Sequence, residues 1–157
     1  DLLYFLNAQK ERFQLRLQSM LKQIGNLDYV PPMKSGQNLL TVTTQEWLGL
    51  FQKIGELGTY EYVILDLSES MQGLFEILRL CARVYTTIRE DRIAQCKLLQ
   101  YEHLLGLCEY GDVLEKTQRL NLPRIRRLPE DLEQLTKGDL AALAEELIAE
   151  LEGAGEQ

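Results

Sequence analysis

The run Glu61-Tyr62-Val63-Ile64-Leu65-Asp66-Leu67-Ser68-Glu69-Ser70 constrains what this chain can fold into more than any other stretch. Tyr62, Val63, Ile64 and Leu65 are aromatic, β-branched or aliphatic and lead without a charge into Asp66. That pattern predicts a strand buried on both faces of a parallel sheet, because a half-solvated strand would alternate with polar residues. Asp66 then stands at the carboxyl end of the strand, with Ser68 and Glu69 in the loop beyond and Gly73 opening a helix over residues 74–81. Ligands of open α/β sheets bind at that edge, so a metal or nucleotide contact is expected here first. An aspartate at a strand end also satisfies loop amides or caps the next helix. Taken from the strand alone, that structural role is the better reading.

The flanking sequence supplies an α/β alternation. Leu2, Leu3, Phe5 and Leu6 already form an apolar helical face at the abrupt start, which reads as a helix entered part-way with sequence missing upstream. Helix is predicted to continue, with one irregularity, through Ile24, since Phe13, Leu17, Met20, Leu21 and Ile24 recur at helical spacing and Gly25-Asn26 reads as a stop. Leu27-Asp28-Tyr29-Val30 predicts a short strand ended by Pro31-Pro32, followed by a polar loop with Lys34, Ser35, Gly36 and Gln37. Thr43 with Glu46 makes a capping box for a helix whose apolar face is Trp47, Leu50, Phe51 and Ile54, bracketed by Gly55 and Gly58. A helix between strands at residues 27–30 and 61–66 is the crossover that a parallel pair requires.

Residues 83–89 predict a second buried strand, and Glu90 and Asp91 open a long helix through Cys108, with acid at the positive end of its dipole. A shorter helix over residues 112–119 and an edge strand at Leu120-Asn121-Leu122-Pro123 follow. Arg124, Arg126 and Arg127 cluster between Pro123 and Pro129, either as an anion contact or as solvated surface. Leu140, Leu143, Leu147 and Leu151 give a final amphipathic helix after Gly138, and its acidic face argues against binding anionic lipid. The whole of residues 1–157 reads as one α/β domain with a mostly parallel sheet flanked by helices.

Charge and cysteine usage exclude several functions. A net charge of −7, with 26% charged residues spread along 157 positions, lacks the basic footprint of nucleic-acid binding. Cys81, Cys96 and Cys108 have neither disulfide nor metal-ligand spacing and read as buried free thiols of a reducing compartment. His103 has no nucleophile near it in sequence and reads as a helix-surface residue. No apolar run approaches membrane-spanning length, and the cytoplasm is the expected location.

Taken in this order, the chain resembles the carboxyl-terminal two-thirds of a ParA/MinD-type P-loop ATPase, in the TadZ/CpaE-like branch associated with Flp-type pilus assembly. The resemblance rests on residues 62–70 as Walker B strand and switch, on Thr86 and Thr87 before an acidic helix start, on Leu27-Asp28-Tyr29-Val30-Pro31-Pro32 and on Leu122-Pro123 before the last helix. It implies ATP and Mg²⁺ as cofactors, with Asp66 holding the metal through water, and Ser68 and Glu69 in the switch that senses the γ-phosphate. Pro123 and Arg124 would lie against the adenine base. A homodimer that recruits pilus-assembly or polar-localisation proteins to a cell pole, in the cytoplasm or at the inner face of the membrane, is the implied assembly. No catalytic residue is assigned, because the sequence has no glycine-rich loop ending in Gly-Lys-Ser/Thr, the element that cradles phosphates in such folds. A non-enzymatic scaffold of the same fold is therefore the alternative. A response-regulator receiver domain fits less well, since no lysine ends a strand after Thr86 and Thr87.

Overall fold

The computed structural model describes residues 2–6, 9–32, 40–68, 71–88, 91–123 and 137–155. They form an α/β chain of six α-helices and two small sheets. The elements group into two compact units, residues 1–84 with 100–118, and residues 85–99 with 119–157.

The first unit is built on two apolar clusters. A 3₁₀ turn at Leu3–Phe5 leads into α1, Lys10–Met20, which buries Phe13 and Leu17 one turn apart against Leu2 and Leu50. Helix α1 stops at Leu21, whose backbone turns extended, and the chain enters a hairpin of β1, Lys22–Ile24, and β2, Leu27–Tyr29. The two strands are antiparallel, Lys22 opposite Tyr29 and Ile24 opposite Leu27. This corrects the expected helix through Ile24: Gly25, at φ 57°, turns a hairpin instead of ending a helix, the role glycine and asparagine fill in two-residue β-turns. It also corrects the expected pairing of residues 27–30 with residues 61–66, because β2 takes its ladder from β1.

Helix α2, Thr44–Leu57, forms as its capping box predicts. The Glu46 carboxylate accepts from the Thr43 N–H at 2.9 Å and from its hydroxyl at 2.7 Å, and Thr43 Oγ1 accepts from the Glu46 N–H at 3.3 Å. The Thr43 backbone and side chain hold the Glu46 carboxyl below the usual carboxylate range. Gly58, in the left-handed region, closes the helix. Thr43→Ala removes one orphan-donor partner and is expected to lower stability by about 0.5–2 kcal/mol, read as a shift of the urea midpoint with unchanged slope.

The second cluster gathers Leu78, Val84, Leu105 and Val113, with Phe75, Tyr101 and Tyr110 edge-to-face around them. Helix α3, Leu74–Leu80, contributes Leu78, while α5, Gly111–Glu115, contributes Val113. Arg79 ties these helices together, donating from Nε and Nη2 to the two Asp112 carboxylate oxygens at 2.8 and 2.7 Å while lying 4.3 Å over the Tyr110 ring. The Arg79 hydrogen bonds hold the Asp112 carboxyl below its ordinary range. The tie therefore stabilises the fold above the ordinary titration range of an aspartate and is lost as pH falls through the lowered one. Lys116 Nζ donates to the Arg79 and Cys81 carbonyls at 2.7 and 2.6 Å, placing a cation on the carboxyl end of α3, where the helix dipole favours it.

Strand β3, Val84–Ile88, helix α4, Arg92–Leu107, and strand β4, Thr117–Asn121, contribute to both units. Val84 N–H donates to the Lys116 carbonyl and Leu122 N–H to the Ile88 carbonyl, so the strands run parallel. Helix α4 is the long helix expected after Asp91, whose carboxylate accepts from the Ala94 N–H at 2.8 Å as its cap. Residues 117–119, expected as helix, are strand, because Lys116 ends α5 and the ladder to β3 begins there. Cys81 is half-buried as a free thiol, but Cys96 and Cys108 are exposed, against the expected burial. Cys96 lies off the α4 face that carries Leu98 and Leu105, and Cys108 follows the end of that helix. His103 is exposed, as expected. The second unit ends in α6, Asp139–Gly155, begun at Gly138 with φ 93°.

Candidate functional site

Within the first unit, residues 62–68 form neither helix nor strand. Ile64 is 84% exposed and Tyr62 and Val63 are each 47% exposed, which corrects the expected buried strand. A β-branched run becomes a buried strand only when neighbouring strands take its backbone hydrogen bonds. No backbone hydrogen bond joins residues 62–67 to any described residue. Position along the run decides burial: Leu65 and Leu67 are half-buried, and Leu67 packs against the second cluster. Asp66 and Ser68 are exposed. The Ser68 carbonyl accepts from the Met71 N–H at 3.2 Å, forming the turn that delivers the chain to Gly73 and α3. Glu69 lies outside the described residues.

Within the second unit, the carboxyl end of β4 opens onto a cavity of about 320 Å³, the lower end of the size range for small-molecule sites. Asn121, Leu122 and Pro123 line one side, and Asp139, Ala142, Leu143 and Glu146 of α6 line the other. Pro123 has no N–H to continue a ladder, so the strand ends and its edge is left to the cavity. Leu122, Pro123 and Leu143 supply apolar surface, while Asn121, Asp139 and Glu146 supply hydrogen-bond acceptors. Such a lining suits a small molecule bearing N–H donors, and its two carboxylates repel phosphate. Pro123 is thus placed in a cavity wall. Arg124 lies outside the described residues. No protein-family model, curated protein or solved structure matches the chain.

Asp66 and Ser68 belong to one unit and Pro123 to the other, and each place has its own geometry. Among the described residues no group of three or more His, Cys, Asp or Glu side chains could hold a metal ion. A lone exposed carboxylate at Asp66 does not make a magnesium site by itself, since Mg²⁺ asks for octahedral oxygen donors from protein, water and phosphate together. Sequence reading reached Pro123 but missed Asp139 and Glu146. Glu146 reads in sequence as one more acid on the solvated face of the last helix, and only the packing of α6 beside β4 turns it toward a strand end. Among the described residues no helix is long and apolar enough to cross a membrane.

Proposed function

We propose that this chain belongs to a nucleotide-dependent positioning protein of the ParA/MinD type, in the TadZ/CpaE-like branch, which recruits Flp-type pilus machinery to a cell pole as a homodimer. The observation that carries the reading is the parallel pair of β3 and β4 leading into Leu122 and Pro123, with a cavity of about 320 Å³ at the carboxyl end of β4. Its support from sequence is the order of Asp66, the Thr86-Thr87 strand and Pro123 along the chain. In this reading the cavity takes the adenine base, whose exocyclic amine meets Asn121, Asp139 or Glu146, and Asp66 keeps the magnesium role that the resemblance implies. Expected behaviour is saturable ATP binding by the protein in the presence of magnesium, weakened about tenfold or more, about 1.4 kcal/mol, by Asp66→Ala. Isothermal titration calorimetry measures both. Absence of saturable binding, or an Asp66→Ala variant that binds as the parent does, sinks the nucleotide half of the proposal.

A second reading, a scaffold of related fold without hydrolysis, is favoured by two specific observations. The sequence has no Gly-Lys-Ser/Thr phosphate loop, and the Asp66 run presents apolar side chains outward. In that reading Asp66 is structural and the exposed surface recruits the partner.

A further inference from the structure

Residues 62–67 combine three properties that natural surfaces seldom leave together. The side chains are strand-forming and apolar, Ile64 projects into solvent at 84% exposure, and the backbone is neither helix nor strand and has no hydrogen bond to the backbone of any described residue. Unpaired backbone beside exposed β-branched residues is a template for strand addition, in which main-chain hydrogen bonds give affinity and alternate side chains give specificity. Leu67 is anchored in the cluster around Leu78 and Leu105, so the run is held at one end while its outer face stays open.

The ends of the run decide what can pair with it. Glu61 and Asp66 are both exposed acids flanking the apolar centre. A second copy of the same segment is disfavoured, because antiparallel pairing sets Glu61 beside Asp66 and parallel pairing sets each acid beside its twin, and like charges directly across a ladder destabilise it. Lysine or arginine at both ends of the incoming strand reverses that sign. From this charge complementarity we infer that residues 61–66 form a docking strand for a partner protein, which contributes an extended segment apolar at its centre and basic at both ends. Strand addition here needs no bound nucleotide.

Two synthetic hexapeptides, matched to the five-residue spacing of Glu61 and Asp66, test this on the full chain, Arg-Val-Thr-Ile-Val-Arg and its counterpart with glutamate at both ends. Amide hydrogen exchange is followed together with fluorescence anisotropy of the labelled peptides. The arginine-flanked peptide is expected to bind and to slow exchange at residues 62–66, with the glutamate-flanked peptide weaker by roughly tenfold, from two charge pairs of about 0.2–1 kcal/mol each reversed in sign. Val63→Pro/Ile64→Pro removes donors pointing to both edges and is expected to abolish binding. Ile64→Lys, at a side chain 84% exposed, is expected to weaken it with an unchanged thermal melt. Equal binding of both peptides, binding without protection at residues 62–66, no binding of either, or concentration-dependent protection with no peptide present would each overturn the inference.

Discussion

Phe13→Ala is expected to lower stability by about 3–5 kcal/mol, the usual cost of emptying a fully buried aromatic site. Phe13 has no exposed surface and is the largest of the four buried side chains of a cluster formed with Leu2, Leu17 and Leu50. The cost has two sources: the apolar area that no longer leaves water, and a cavity that its neighbours cannot collapse to fill, since three separate segments fix them. Lys53 also lies 5.0 Å from the centre of the Phe13 ring and donates to the Leu6 carbonyl. The phenyl ring therefore helps to hold the cation that pins the amino-terminal turn to α2, and losing it loosens that tie too. Against a total stability of about 5–15 kcal/mol for a domain, the loss is a large fraction. The sole tryptophan, Trp47, packs in the same cluster, stacked 5.7 Å from Phe51, so its fluorescence follows the unfolding of this cluster directly. A urea midpoint that moves by less than about 1 kcal/mol equivalent would show that Phe13 does not organise the cluster.

The same cluster shows where sequence was sufficient. Phe13, Leu17 and Leu50 were readable as inward positions because helical spacing is a local property, and the Thr43 and Glu46 pair fixed the start of α2 by chemistry three residues apart. Helix α4 was equally legible from Asp91. Strands were not, since a strand is completed by its neighbours. Lys22, Gln23 and Ile24 extend a helical pattern, and Gly25-Asn26 serves a helix stop and a hairpin turn equally well, so only the pairing of Ile24 with Leu27 decides between them. The run at residues 62–66 failed in the opposite sense: its composition fits a central strand, but no described strand lies beside it. At the candidate site, Pro123 was legible as the last residue of an edge strand and, by resemblance, as a base contact, whereas Asp139 and Glu146 reach the same cavity only through the packing of α6. The Arg79 to Asp112 pair, 33 residues apart, leaves no local trace at all.

Gly73→Ala is the second large effect, expected at about 3 kcal/mol of destabilisation. Gly73 holds φ 72°, a region where a side chain costs roughly 1–2 kcal/mol. A Cβ built there would also stand 2.2 Å from Thr44 Cγ2, 2.5 Å from Oγ1 and 2.7 Å from Cβ. Thr44 is the first residue of α2, locked beside the Thr43 capping box, so it cannot swing clear, and overpacking of this kind costs roughly 1–3 kcal/mol more. Sequence shows only that a glycine precedes a helix; the close approach of α2 and α3 supplies the second reason for it. The two costs separate in a double-mutant cycle. In a Thr44→Gly background the steric part disappears while the backbone part remains, so Gly73→Ala should cost at least about 1 kcal/mol less there than in the parent. Equal costs in both backgrounds would mean that the turn alone requires glycine and that α2 and α3 do not meet at Gly73. The distinction bears on the candidate site, because Gly73 is the point at which the chain leaving Asp66 and Ser68 enters α3 beside Thr44 of α2. If Thr44 holds it there, a partner strand that docks on residues 61–66 meets a segment anchored at Leu67 and again at Gly73.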